Sequence, residues 1–207
     1  RNDPTPVHLE VAIKFYLGLL EGPGPVRDQA RWIGPGGADS LATKRSHLDR
    51  HQLRLTDRAE TRLTIRQHTQ PRDIGPTQDA TIRRQLAIPG VLFYPWPLFM
   101  PAPYEAAPDH LRGHWLHWRD WRRLRDSLHR DTRAAWLTKP HWLALPRDEA
   151  FLPLPQVEAR LAQHFSHPAA PLQIALLDSS AGRRLRRLFV VDDAWPLRIP
   201  LPPSAPA

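Results

Sequence analysis

The sequence of 207 residues contains no cysteine, one methionine and only three lysines, Lys14, Lys44 and Lys139. The absence of cysteine excludes disulfide bonds, thiolate metal sites and cysteine nucleophiles, and it is typical of a reducing compartment. No charged segment followed by an apolar stretch and a small-residue cleavage site opens the chain. We therefore expect a cytoplasmic protein.

Long uninterrupted apolar runs are also missing. The most apolar stretch, residues 86–104, has nearly the length of a membrane span but contains five prolines, which forbid a continuous helix. We therefore expect no membrane partner. The composition, 41% hydrophobic and 24% charged, predicts one globular domain over residues 1–200, followed by a disordered tail at 201–207.

Acidic residues are fewer than basic ones. Lys and Arg number 29 against 21 Asp and Glu, which gives a formal net charge of +8. Such an excess favours an anionic partner such as nucleic acid. Because all but three of the basic residues are arginine, an arginine-rich proteome is the alternative explanation, and the partner is then neither DNA nor RNA.

Residues 7–17 alternate strictly between apolar and other side chains, which predicts a β-strand whose apolar face covers a core. Glu10 and Lys14 project together from the opposite face, about 13 Å apart at roughly 3.3 Å per residue. After a Gly- and Pro-rich loop, Asp39 or Ser40 is expected to cap a helix that ends near Leu55. Its narrow apolar stripe is predicted to consist of Leu41, Leu48 and Leu55. Lys44, His47 and His51 share one side of that helix.

The other expected elements are a buried strand at 90–94, a helix at 156–165 and a β-hairpin formed by 172–177 and 186–191. Residues 110–136 are predicted to form the longest helix, with Trp115 and Trp118 in the core and three histidines on one side. Shorter expectations are a helix at 77–86 and a strand at 142–145. The four arginines within residues 183–187 are expected to divide between two strand faces, and Asp192 and Asp193 to lie in a turn.

A strand that presents Glu and Lys, followed by a turn and a polar-faced helix, resembles the core of the PD-(D/E)xK nucleases. More closely, five segments in the expected order look like the bacterial family catalogued as domain of unknown function 1853, which is similar in fold to that superfamily. These segments are HLEVAIKFYLGL, WIGPGGADSLATKRSHLDRHQL, PGVLFYP, HLRGHW and FVVDDAWP. The resemblance implies an α/β fold, a mixed sheet flanked by helices with a nuclease-like core.

The resemblance also implies a function, the metal-dependent hydrolysis of DNA phosphodiester bonds. Glu10 would be a catalytic residue and a ligand of Mg²⁺, which polarises the phosphodiester, and Lys14 would position the attacking water. Two features depart from the pattern. The superfamily's acidic position, two before the lysine, is Ala12, and no Gly-Glu-Leu-Asp-like segment precedes Val7, which suggests an N-terminal truncation.

The same resemblance places the 39–55 helix beside the catalytic strand, so Lys44, His51 and Gln52 are candidate nucleic-acid contacts. Simpler explanations remain for both groups of residues: Glu10 and Lys14 as a pair on a solvated strand face, and the helix as an ordinary polar surface. The alternative function is a catalytically inactive nuclease-fold module that binds nucleic acid or a protein partner.

Overall fold

A computed structural model describes residues 6–22, 24–68, 82–144, 146–178 and 184–196. The expected tail at 201–207 lies outside these ranges. The chain divides into two compact units: unit 1 lies within residues 1–14 and 43–89, and unit 2 lies within 15–42 and 90–207. No helix among the described residues is long and apolar enough to cross a membrane.

Unit 1 contains a two-stranded sheet and a series of helical turns. Its strands β1 and β4 pair in parallel, with Val7 opposite Arg83 and Val11 opposite Ala87. Most of α1 belongs to it, followed by a π-helical segment, a single 3₁₀ turn and α2. The bounds are β1 (Val7–Val11), α1 (Leu41–His47), the π-helical segment (Leu48–Gln52), the 3₁₀ turn (Leu55–Asp57), α2 (Ala59–His68) and β4 (Arg83–Ala87).

Unit 2 is built on an eight-stranded sheet with the order β3-β2-β5-β6-β10-β9-β7-β8. Strands β5, β6 and β10 run parallel at its centre, whereas β10, β9, β7 and β8 pair antiparallel. The expected mixed sheet flanked by helices is thus confirmed. Its elements are β2 (Lys14–Gly18), β3 (Trp32–Ile33), β5 (Gly90–Pro95), β6 (Leu111–His117), α3 (Trp121–Asp126), β7 (Arg133–Leu137), β8 (Leu152–Pro153), α4 (Leu154–His164), β9 (Leu172–Asp178) and β10 (Arg184–Val191).

Both faces of this sheet are buried along much of its length. On β10, Leu188 and Val190 join one core cluster with side chains of α3 and α4, whereas Phe189 and Val191 join another that includes Trp115 and Trp195. Successive residues of a strand point to opposite faces, so a strand buried on both sides is apolar at every position. This explains why the run LFVV lacks alternation.

The expected helix at 110–136 is wrong. Residues 111–117 form β6, a central strand, and only 121–126 form an α-helix before β7 begins at Arg133. Trp115 is a core residue as expected, Trp118 packs half-buried beside the core, and Trp121 is fully buried. His114 and His117 have opposite parity on the strand, so the histidines do not share one side. The tryptophans at positions 115, 118 and 121 have the three-residue spacing of an amphipathic helix, but here they span the junction between β6 and α3.

Two shorter expectations are also wrong. Residues 83–87 form β4 rather than a helix, and residues 77–81 of the expected 77–86 helix lie outside the described residues. Residues 142–144 form a bend rather than a strand. The strand at 90–94, the helix near 156–165 and the antiparallel pair β9–β10 are confirmed. Asp192 closes a turn by accepting a hydrogen bond from the Ala194 amide, 2.8 Å away.

Gly113 in β6 should be intolerant of any side chain. A Cβ atom there would lie 2.5 Å from the Phe93 ring and 2.9 Å from the Arg187 carbonyl oxygen. We expect Gly113→Ala to lower the free energy of unfolding by about 1–3 kcal/mol through overpacking. Gly36→Ala is the matched control, since its Cβ would meet nothing within 4 Å. Denaturant titration followed by circular dichroism measures both, and equal stabilities would contradict this packing.

Candidate functional site

The segment 7–14 is extended throughout, although the strand is interrupted between β1 and β2. The amides of Ala12 and Lys14 donate to the carbonyl oxygens of Ala87 and Pro89, at 3.0 and 2.9 Å. Burial alternates without a break from Val7 to Lys14. The predicted extended segment is therefore confirmed, and Glu10 and Lys14 keep the parity of one strand face.

The expectation that the apolar face of this strand covers a core is wrong for residues 7–13. Val7, Leu9, Val11 and Ile13 are 42–56% exposed. The opposite side, with His8, Glu10, Ala12 and Lys14, is the half-buried one. Within the described part of unit 1 the sheet has only two strands, so only one of its faces is covered. The alternation of apolar side chains predicted the strand correctly, but it does not indicate which face of the strand is packed.

Glu10, the expected magnesium ligand, is half-buried on β1. Among the described residues there is no group of three or more His, Asp or Glu that could hold a metal ion. The position at which the resembling superfamily carries a second carboxylate is Ala12, which adds a methyl group to the same side. Mg²⁺ prefers several oxygen ligands in octahedral geometry. Glu10 alone in this strand does not fit such a centre.

Lys44, His51 and Gln52 lie on one continuous helical stretch, as expected. Lys44 belongs to α1, and His51 and Gln52 end the π-helical segment. Lys44 and Gln52 are half-buried, His51 is exposed, and the rings of His47 and His51 are 4.9 Å apart. π-Helical turns are rare and are frequently found at functional sites.

The π-helical segment also changes the predicted apolar stripe. The amide of Leu53 donates to the carbonyl oxygen of Leu48 at 3.0 Å, an i to i+5 hydrogen bond. Leu53 therefore follows Leu48 by one wide turn and is 6% exposed, whereas Leu55 is 36% exposed. Leu41 and Leu48 are buried as predicted. The wider turn moves the third position of the stripe from Leu55 to Leu53.

Asp57 ties the end of this helical stretch to the two-stranded sheet. Its carboxylate forms an ion pair with Arg84 of β4 and accepts further contacts from Arg62 at 3.7 Å and Arg54 at 3.8 Å. Arg84 also donates to the hydroxyl of Thr56. Because Arg84 stands opposite His8 in the β1–β4 ladder, the stretch that carries His51 and Gln52 is anchored two residues from Glu10.

Two residues beyond Lys14, Tyr16 begins the fully buried part of β2. Its hydroxyl has no hydrogen-bond partner among the described residues. Burial, and next the negative charge of Asp39, raises the pKa of Tyr16 far above its usual value. This phenol is therefore a neutral buried group at any physiological pH.

A polar cluster in unit 2 was missed by the sequence analysis. The Tyr94 hydroxyl lies 2.7 Å from His110 Nε2, and Arg112 Nε donates to the same nitrogen at 3.2 Å. His110 Nδ1 lies 2.6 Å from the carbonyl oxygen of Ala107, so the hydrogen-bond partners assign the proton to Nδ1. Burial raises the pKa of Tyr94 despite the nearby Arg112. The cluster forms because Tyr94 of β5 and Arg112 of β6 lie on the same face of adjacent strands. A helix at 110–136 does not predict this arrangement.

Comparison with known proteins gives one match. The model of the family described as Domain of unknown function (DUF1853) matches residues 1–191. No curated protein and no solved structure matches the chain.

The shifted stripe can be tested by two leucine truncations. Leu53→Ala removes a buried side chain and should lower the free energy of unfolding by about 2–5 kcal/mol. Leu55→Ala, at the position predicted by a regular α-helix, should cost well under about 1 kcal/mol. Denaturant unfolding of the two variants beside the wild type measures the difference. A larger loss for Leu55→Ala would show that the stretch is a regular α-helix.

Proposed function

The chain belongs to the family of the domain of unknown function DUF1853, and we propose that it is a nuclease-like α/β module that binds DNA through the backbone phosphates without cutting them. The single observation that supports this proposal best is the π-helical turn at Leu48–Gln52. It brings His51 and Gln52 directly after the lysine-bearing helix α1.

The charges around this turn favour a polyanion. Residues 43–54 contain four cationic side chains, Lys44, Arg45, Arg50 and Arg54, against a single carboxylate, Asp49. Arg50 and Arg54 are exposed and Lys44 and Arg45 are half-buried. Phosphate contacts by such side chains supply most of the sequence-independent affinity for DNA through the release of counterions. Gln52 and His51 add hydrogen-bonding groups at the same surface.

Binding without cleavage is favoured because the described residues do not fit the metal centre that hydrolysis requires. Glu10 is the sole carboxylate of β1, and Ala12 replaces the second one. In the proposed function Lys14 and Glu10 are a half-buried pair on the strand beside the binding surface. Lys44, His51 and Gln52 make the contacts to phosphate.

Metal-dependent hydrolysis of DNA is the second candidate. It is favoured by one observation, the shared parity of Glu10 and Lys14 on the half-buried side of an unbroken extended segment. In that candidate Glu10 would be the metal ligand and Lys14 would position the water. The two functions make opposite predictions for the same incubation.

Lys44→Gln should weaken DNA binding by a salt-dependent amount. Removing one phosphate contact lowers the slope of log K against log salt by about 0.9, whatever the DNA sequence. Fluorescence anisotropy of a labelled duplex at several salt concentrations measures the slope. Lys139→Gln is the matched control, because Lys139 is exposed in unit 2. Equal slopes for both variants, or no wild-type binding near physiological salt, would overturn the proposal.

Supercoiled and single-stranded DNA should stay intact when incubated with the full chain and Mg²⁺ or Mn²⁺. The same incubation with Glu10→Ala and Lys14→Ala identifies the alternative. Cleavage by the wild type that both substitutions abolish would replace the binding proposal with the hydrolase. Cleavage that survives both substitutions would assign the activity to other residues and reject both functions as stated.

A further inference from the structure

Three basic side chains project together from one face of the unit 2 sheet. Arg112 and His114 belong to β6 and Arg186 belongs to β10. The two strands run parallel with Leu188 beside His114, so Arg186 stands beside Arg112 when the register is continued by two residues. Residues two apart on a strand share a face. Leu116, Leu188 and Val190 continue the same face beneath α3 and α4, and the basic cluster lies where that cover ends.

The cluster is accessible and partly pre-positioned. Arg112 and His114 are exposed and Arg186 is half-buried. The Arg112 guanidinium lies over the Tyr94 ring, 4.7 Å from its centroid, while Nε donates to His110. These contacts orient the guanidinium plane. Less side-chain freedom is therefore lost when an anion binds.

Arg112 and Arg186 give this cluster a net positive charge. Neither Arg112 nor Arg186 takes part in an ion pair with a described carboxylate, and Asp178, on the neighbouring strand β9, stands opposite Arg184. Although the residue as a whole is exposed, its imidazole is partly desolvated, which lowers the pKa of His114, and the charges of Arg186 and Arg112 lower it further. His114 is thus neutral at pH 7 and close to two cations.

We propose that Arg112, His114 and Arg186 form a binding site for a phosphate group. Two guanidinium groups and an imidazole at neighbouring positions of one sheet face offer several N–H donors, and a tetrahedral oxyanion presents several oxygens to them at once. A metal cation is repelled by the same charges. The site lies in unit 2 and does not depend on the DNA-binding surface proposed for unit 1.

Inorganic phosphate is the first probe. Isothermal titration calorimetry at low ionic strength should show binding of phosphate to the full chain. Arg186→Gln should weaken this binding by roughly tenfold or more, which is the usual effect of losing a hydrogen bond between charged groups. Arg160→Gln, an exposed arginine on α4, is the charge-matched control and should bind as the wild type does. Thermal melts confirm that each variant is folded. No binding by the wild type, or equal losses in both variants, would overturn the site.

Sulfate provides a second readout, because it stays a dianion throughout the pH range in which histidine titrates. A bound anion favours the protonated form of His114 and raises its pKa. Sulfate should therefore bind more tightly as the pH falls through the pKa of His114. The groups facing His114 are the phenol of Tyr94, which stays neutral, the guanidinium groups of Arg112 and Arg186, the carboxylate of Asp178 on β9, and the imidazole of His110. The variant His114→Gln distinguishes the contribution of His114 from that of His110, because the pH dependence of sulfate binding should disappear in it. Its persistence would exclude His114 from the site.

The source of the phosphate can be distinguished with a short oligonucleotide carrying either a 5′-phosphate or a 5′-hydroxyl. If Arg186→Gln weakens only the phosphorylated form, the site takes a terminal phosphate. If it weakens both equally, the site takes a backbone phosphate. If neither is affected while inorganic phosphate binding is lost, the ligand is a small phosphate compound. Lys44→Gln in the same assay reports on unit 1 separately, so either proposal can fail alone.

Discussion

The close approach of three central strands at Gly113 is the constraint on which unit 2 depends. Phe93 from β5 and the backbone of β10 occupy the space that any side chain at this position would need. Since neighbours on a strand alternate in direction, a filled face at residue 113 sends Arg112 and His114 to the other one. A packing requirement of the core therefore determines where two basic side chains emerge. Stability and the proposed phosphate site share this origin, although different side chains serve each.

Unit 1 depends on contacts of another kind. Among its described residues the sheet has two strands, and four apolar side chains of residues 7–13 are exposed. The burial of apolar surface therefore contributes less to the stability of this unit. Asp57 instead forms ion pairs with three arginines: Arg54, which precedes the 3₁₀ turn, Arg62 of α2 and Arg84 of β4. Such exposed pairs are individually weak, at about 0–1 kcal/mol each, but a shared carboxylate links elements that are distant in sequence. This link orients the π-helical turn relative to the strand that carries Glu10.

Local patterns in the sequence predicted what local chemistry determines. Strict alternation identified 7–17 as extended, an apolar run before Pro95 identified β5, and two apolar runs on either side of turn residues identified the pair β9–β10. Properties that arise from neighbours could not be derived in this way. Alternation does not reveal which face of β1 is covered, and nothing local announces an i to i+5 hydrogen bond at Leu48. At 110–136 a buried strand running into a short helix produced tryptophans at helical spacing.

The scarcity of lysine has a practical consequence for chemical labelling. Amine-reactive reagents modify lysine but not arginine, so this very basic protein offers just three side chains to them. Lys14 and Lys44 belong to the strand and the helix of the candidate surface, and Lys139 is exposed in the other unit. Each labelled peptide thus reports on a single, known place. A ligand that shields the first two while leaving the third as an internal reference would reveal its own location by mass spectrometry alone.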